Sequence, residues 1–265
     1  MHSGPVFPPV ADAWGAAIQR RAVSWQHLLH FAAVALVVAL SPSTYRRANL
    51  QTMAAHLHRS TWEVLPWFTA LSTLLSLVLI HIVLVSAVSY GLSNYALEMV
   101  VRVLVLELIP LSAALFVALR TGLVVVGAPG PALLLAPAAL TAPGLARLQQ
   151  DLVPRLLAVA FSVLALAACS SAIALVQTYL MVHGLSLWGL PGFTRTVGHV
   201  FSLSVTLGMG LKTLLFSLAV ALVPMAAALE ARAPSVDPNT LQPGAVRLFL
   251  VLLLIEAASL AVKYF

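Results

Sequence analysis

An all-α, polytopic membrane fold is predicted for this chain, with five transmembrane helices preceded by an amino-terminal interfacial helical hairpin. Three observations carry the prediction. The composition is 61% hydrophobic and 8% charged, with a mean hydropathy of +1.01, whereas a soluble domain carries about 25% charged residues. Five apolar runs each reach the ~20 residues that a helix needs to cross the hydrocarbon core. The basic residues fall between those runs and form no patch. The formal net charge of +6 therefore reads as a topology signal and not as a nucleic-acid surface.

Residues 1–24 are read as a cytoplasmic amino-terminal segment and 25–62 as the hairpin. The apolar stretch Trp25–Leu40 is short, follows Arg20 and Arg21, and is stopped by Ser41-Pro42-Ser43 ahead of Arg46 and Arg47. A short apolar segment between basic flanks favours lying in the interface over crossing it; a sixth span is the alternative. Ala48–Trp62, with His56, His58 and Arg59, forms the more polar second arm. Phe31–Leu40 begins too far into the chain, and lacks the small-residue cleavage site, to be expected to act in a signal peptide. Arg20-Arg21 likewise lacks the surroundings of a twin-arginine signal.

Residues 63–265 hold the five spans. They are predicted at Val64–Tyr90, Tyr95–Val126, Leu152–Val182, Val197–Leu229 and Ala245–Tyr264. Several exceed the minimum length, so tilt or interfacial extension is expected. Arg20, Arg21, Arg46, Arg47 and Arg59 precede the first span, Arg147 and Arg155 follow the second, and Arg232 and Arg247 follow the fourth. The turn at Ser93-Asn94 has no basic residue, and the loop His183–Gly198 has only Arg195. This bias predicts a cytoplasmic amino terminus and a carboxyl terminus on the opposite, outer side. Trp188 suits the outer interface, and Trp62 and Trp67 the inner one.

Charged side chains within the spans are the candidate functional groups, because each costs roughly 2.5–3.5 kcal/mol at mid-membrane. Glu98 and Arg102, at i and i+4 in the second span, share a helix face and can pair. Such a pair either anchors the helix by snorkelling or contributes to a site. Glu107 lies deeper, and Pro110 frees a backbone carbonyl one turn back, which favours a hydrated or protein-lined cavity. Lys212 follows Gly208-Met209-Gly210 in the fourth span. Leu211 stands where a P-loop has glycine and no strand precedes it, so nucleotide binding is excluded. The glycines are expected to allow close helix packing, with the ammonium reaching an interface, a carboxylate such as Glu256, or a lipid phosphate.

Other chemistries find no support. His56 and His58 fall about 200° apart on a helix, no HExxH occurs, and no nucleophile stands beside a base. No cofactor, metal or catalytic site is expected. Cys169 lies in an apolar run as a small residue expected to be buried, and as the sole cysteine it makes neither an intramolecular disulfide nor a cysteine-based metal site.

The order of these features resembles the MlaE/YrbE permease family, the membrane subunits of ABC lipid transporters that work with MCE-domain proteins. That family's second span carries arginine-glutamate-leucine-glycine-proline followed by glycine-arginine-alanine-glycine. Here those positions read Leu106-Glu107-Leu108-Ile109-Pro110 and Leu119-Arg120-Thr121-Gly122. The proline-arginine that opens the family's third span is matched by Pro154-Arg155. The lysine-serine-x-x-phenylalanine of its fourth is matched by Lys212-Thr213-Leu214-Leu215-Phe216, and Glu256 fits the acidic residue of its last. The likeness runs in order from about Phe31 to Phe265.

The resemblance implies a non-enzymatic permease subunit in the bacterial inner membrane that moves a lipid, with phospholipid the first candidate. Its implied partners are a separate ABC ATPase, a periplasmic MCE-domain protein and a second permease copy, the same or related. Glu107, Pro110, Arg102, Glu98, Lys212 and Phe216 would line the lipid pathway or gate. Arg120, Arg147, Asp151 and Arg155 would belong to the ATPase-docking side. The chain also departs from the family. No acidic residue occurs between Glu107 and Asp151, where the family has an acidic, ATPase-docking stretch, and Leu106 replaces the motif arginine. A divergent permease with a co-varied ATPase, the passive half of a heterodimer, and a structural subunit that has lost ATP coupling are all compatible with this pattern.

Overall fold

Helices form wherever the chain is apolar for long enough, because backbone groups inside a bilayer must be bonded within their own segment. The computed structural model describes residues 25–26, 29–37, 65–125, 153–230 and 244–264. Five of its helices are long and apolar enough to span a membrane: Leu65–Ser89, Tyr95–Arg120, Val153–His183, Leu203–Ala227 and Gly244–Lys263. The fold is all-α and polytopic.

The first span ends where Gly91 takes a left-handed φ of 71°. The Leu92 N–H then reaches back to the Ala87 carbonyl at 2.8 Å, a glycine cap that turns the chain straight into the second span. The third span ends in the same way at Gly184, φ 63°, with its N–H on the Leu180 carbonyl. A separate helix, Leu190–Val200, follows and lies against the second span. Phe193 and Val200 are buried beneath it, and the Tyr179 ring meets Phe193 edge-on at 5.2 Å. We call this the cap end of the bundle. The fourth span was expected to start at Val197. It starts at Leu203, because the chain breaks at Phe201-Ser202 and the preceding residues belong to the cap helix.

The second span lies at the centre and packs on the first, third and fourth. Apolar side chains gain little from leaving lipid for protein, so membrane helices associate through close packing of small residues and interhelical hydrogen bonds. Ala113, Ala114, Val117 and Ala118 give the second span such a surface, filled by Val163, Leu166, Ala167, Phe216 and Val220. Phe68 of the first span and Leu248 and Leu252 of the fifth complete this core. Between the first and third spans the Ser76 hydroxyl bonds the Gln177 side-chain carbonyl, and the Gln177 amide donates to the Thr73 carbonyl at 2.9 Å.

Residues 29–37 are helical and dock at the end opposite the cap. Ala35 is buried there with Leu156, Ala221 and Met225, and Phe31 packs alongside. The second hairpin arm, His56, His58, Trp62 and the segment 1–24 lie outside the described residues. Two packing expectations are corrected. Cys169 is exposed on the third span, because the helix turns its buried face through Ala167, Ser170 and Ala174. Gly208 and Gly210 meet open space and no neighbouring helix.

Candidate functional site

The site begins with a local defect in the second span. Pro110 has no N–H to offer the carbonyl four residues back, and its ring crowds that carbonyl. The backbone widens over Val101–Leu108 into a π-helix, and the Ile109 N–H bonds the Leu104 carbonyl. Widened turns of this kind present side chains at angles that a regular helix does not reach. Glu107 lies in the last turn of this stretch, about 18 Å along the helix from Tyr95 at 1.5 Å per residue.

Three spans meet at Glu107. Lys212 of the fourth span donates to Glu107 Oε2. Lys263, at the end of the fifth, donates to Glu107 Oε1 at 2.8 Å. Lys212 also stands 2.7 Å from Glu256 Oε2 of the fifth span. That second contact is ionic and not directional, since the buried Glu256 oxygen accepts no aligned hydrogen bond among the described residues. Two carboxylates and two ammonium groups make the set formally neutral, the arrangement in which membrane-embedded charge is tolerated. Lys212 is sealed, with its side chain 2% exposed, whereas Glu107, Glu256 and Lys263 retain 16, 18 and 22%. The network is thus partly accessible. On the open edge of the second span, Val103, Leu108 and Leu119 are exposed apolar residues.

Phe216 is fully buried one turn below Lys212, whose ammonium lies 5.6 Å from the ring centroid. Pro110 is buried just beyond Glu107. Glu98 and Arg102 pair with each other at 2.7 Å, with side chains 31% and 45% exposed, nearer the cap and apart from the network. Arg120 and Arg155 are half-buried at the end opposite the cap. Arg147, Asp151 and the segment 127–145 lie outside the described residues. No cluster of His, Cys, Asp or Glu among the described residues has metal-binding geometry.

The sequence reading paired Lys212 with Glu256 as a possibility but missed Lys263, which reads as an ordinary basic terminus. A signal was present. Glu256 and Lys263 are seven residues apart, which places them within about 20° on the same helix face.

Residues 53–262 match the family described as Permease MlaE. The chain belongs to the MlaE permease family. The match takes in all five spans and every member of the network except Lys263, and the segment 31–52 of the sequence likeness falls outside it. No curated protein matches the chain. The MlaE family is associated with lipid transport by ABC systems, in which its members are multi-pass, non-catalytic transport subunits. The four-charge network is therefore a feature of a transport subunit's membrane domain.

Proposed function

We propose that this chain is the permease subunit of an ABC-type lipid transporter that works with a periplasmic MCE-domain protein. The observation that carries the reading is the Glu107–Lys212–Glu256–Lys263 network, partly accessible within an otherwise apolar bundle. Its ammonium groups suit an anionic headgroup, and the apolar strip of the second span suits acyl chains. A charged headgroup entering from the open side would compete with Glu107 for Lys263, the more exposed lysine, before reaching Lys212. Phe216 and Pro110 hold the two spans in register behind it. Glu98 and Arg102 stand nearer the cap, on the route between the network and the outer surface.

In this reading the permease lies in the bacterial inner membrane with its amino terminus cytoplasmic and its carboxyl terminus periplasmic, so the cap end faces the periplasm. Residues 1–24 form a cytoplasmic segment, 25–62 an interfacial hairpin and 63–265 the permease domain. Two permeases, identical or related, enclose the pathway along their open edges. Arg120, Arg147, Asp151 and Arg155 lie on the ATPase side. The lack of any acidic residue between Glu107 and Asp151 favours one second reading, a structural or passive subunit that has lost ATP coupling.

A mild-detergent pull-down of the tagged protein from its native membrane, read by mass spectrometry, tests both. An MCE protein recovered with an ABC ATPase is the expected result, and an added second permease would define a heterodimer. An MCE protein without ATPase would establish the structural reading instead. Recovery of neither would overturn both.

A further inference from the structure

The charge count of the Glu107 network selects the kind of headgroup it can take. Lys212 is sealed, its side chain 2% exposed, and it serves two carboxylates, Glu107 at Oε2 and Glu256 at 2.7 Å. Lys263 is the more accessible of the two lysines, 22% exposed, and donates to Glu107 Oε1 at 2.8 Å. A phosphate drawn to the network therefore meets Lys263 first. Once it takes Lys263 away from Glu107, Glu107 and Glu256 are left to share the Lys212 ammonium. Withdrawing one partner from an ion pair in a low-dielectric site leaves a charge uncompensated, and that cost falls on the ligand that causes it. A headgroup with negative charge alone meets the cost in full. A headgroup that brings its own cation does not.

We infer that the network selects a zwitterionic lipid headgroup, a primary ammonium beside a phosphodiester, by exchanging ion-pair partners. The phosphate takes the Lys263 ammonium, and the ligand's ammonium takes the place of Lys263 on Glu107 Oε1. Two cations then still face Glu107 and Glu256. A primary ammonium has N–H groups to donate to Oε1, as Lys263 does, and forms a charge-assisted hydrogen bond there. A quaternary ammonium has no N–H to donate. Glu107 is thus the discriminating group, attracting the ammonium and repelling a headgroup of uncompensated negative charge. Val103 and Leu108, exposed on the same span, offer apolar surface to the acyl chains. Lys263 lies just beyond the matched residues 53–262, so the exchange is read from this chain's own side chains. The inference rests on the lipid-permease reading and names its headgroup.

The test places a photoreactive benzoylphenylalanine at Leu108 of the full-length protein in vesicles of equimolar dioleoyl-phosphatidylethanolamine, -phosphatidylglycerol and -phosphatidylcholine. Val176, exposed on the third span, is the control position for bulk lipid. Mass spectrometry of the lipid adducts should give an ethanolamine-to-glycerol ratio at Leu108 about tenfold above that at Val176, the effect of one charge-assisted hydrogen bond. The choline lipid should follow the glycerol lipid. Glu107→Gln, which leaves the cations in surplus, should invert the order in favour of the glycerol lipid. Lys263→Gln removes the phosphate's partner and should lower the ethanolamine adduct severalfold; this second variant keeps the inference testable if Glu107→Gln does not fold. Equal ratios at Leu108 and Val176, or an ethanolamine preference that survives Glu107→Gln or an ethanolamine yield unchanged by Lys263→Gln, would overturn the exchange alone. Absence of any lipid adduct at Leu108 would overturn the lipid pathway with it.

Discussion

Lys212 and Glu107, 105 residues apart in the sequence, close an ion pair inside the membrane-spanning bundle, and each of them holds a second partner on the fifth span. Glu107 therefore ties the central span to two others. Removing it leaves two ammonium groups against one carboxylate. We expect Glu107→Ala to lower stability by about 3–5 kcal/mol, the cost of breaking a buried pair by deleting one member. Thermal unfolding of the purified protein in detergent measures it, and unchanged transport and assembly would count against the proposed role of the site.

Lys212 is the sealed member, so its loss leaves Glu107 and Glu256 close together with less cation between them. Lys212→Leu is expected to destabilise more than Lys263→Leu, whose ammonium is partly accessible. A double-mutant cycle on Lys212 and Glu256 should return a coupling of about 0.5–3 kcal/mol. A value near zero would mean that the non-directional 2.7 Å contact contributes little.

Phe216 is 0% exposed and packs against small residues of the second span. Phe216→Ala opens a cavity that the Ala113–Ala118 surface is too short to fill. The expected loss is about 3–5 kcal/mol, read as a drop in unfolding temperature together with easier proteolysis of the fourth span.

The Glu98–Arg102 pair offers the contrast. Both side chains are well exposed and adjacent on one helix, so Arg102→Ala should change stability by no more than about 1 kcal/mol. If the same substitution reduces lipid transport severalfold in reconstituted vesicles, the pair acts on the pathway; if transport is unchanged, it only anchors the helix.

The polar staple between the first and third spans is testable in the same way. Gln177→Leu removes both the Ser76 contact and the 2.9 Å bond to Thr73. The expected cost is about 0.6–1.7 kcal/mol, the range for interhelical hydrogen bonds in membranes, seen as a modest fall in unfolding temperature.

Much of this was legible in advance. A run such as Val64–Tyr90 admits almost no structure but a spanning helix, and the observed Leu65–Ser89 differs by one residue at each end. Glu107, Lys212 and Glu256 stood out because charge at such depth demands a reason. The start of the fourth span was misread because the cap helix Leu190–Val200 continues its helical pattern, and only the break at Phe201-Ser202 separates them. Lys263 escaped because a terminal lysine of a span is ordinary until its carboxylate partner is known.

The sequence by itself determined the helical nature and approximate place of the five spans found among the described residues, and which residues cannot sit in lipid unaccompanied. These follow from local constraints, the thickness of the hydrocarbon and the need to bond every backbone group. Only the tertiary structure decided who accompanies whom. Lipid is as apolar as the helix faces, so hydropathy does not say which faces touch. That choice rests on the close packing of small residues such as Ala113 and Ala114 and on the π-helical turn before Pro110. Together these bring one glutamate within reach of two lysines from distant parts of the chain.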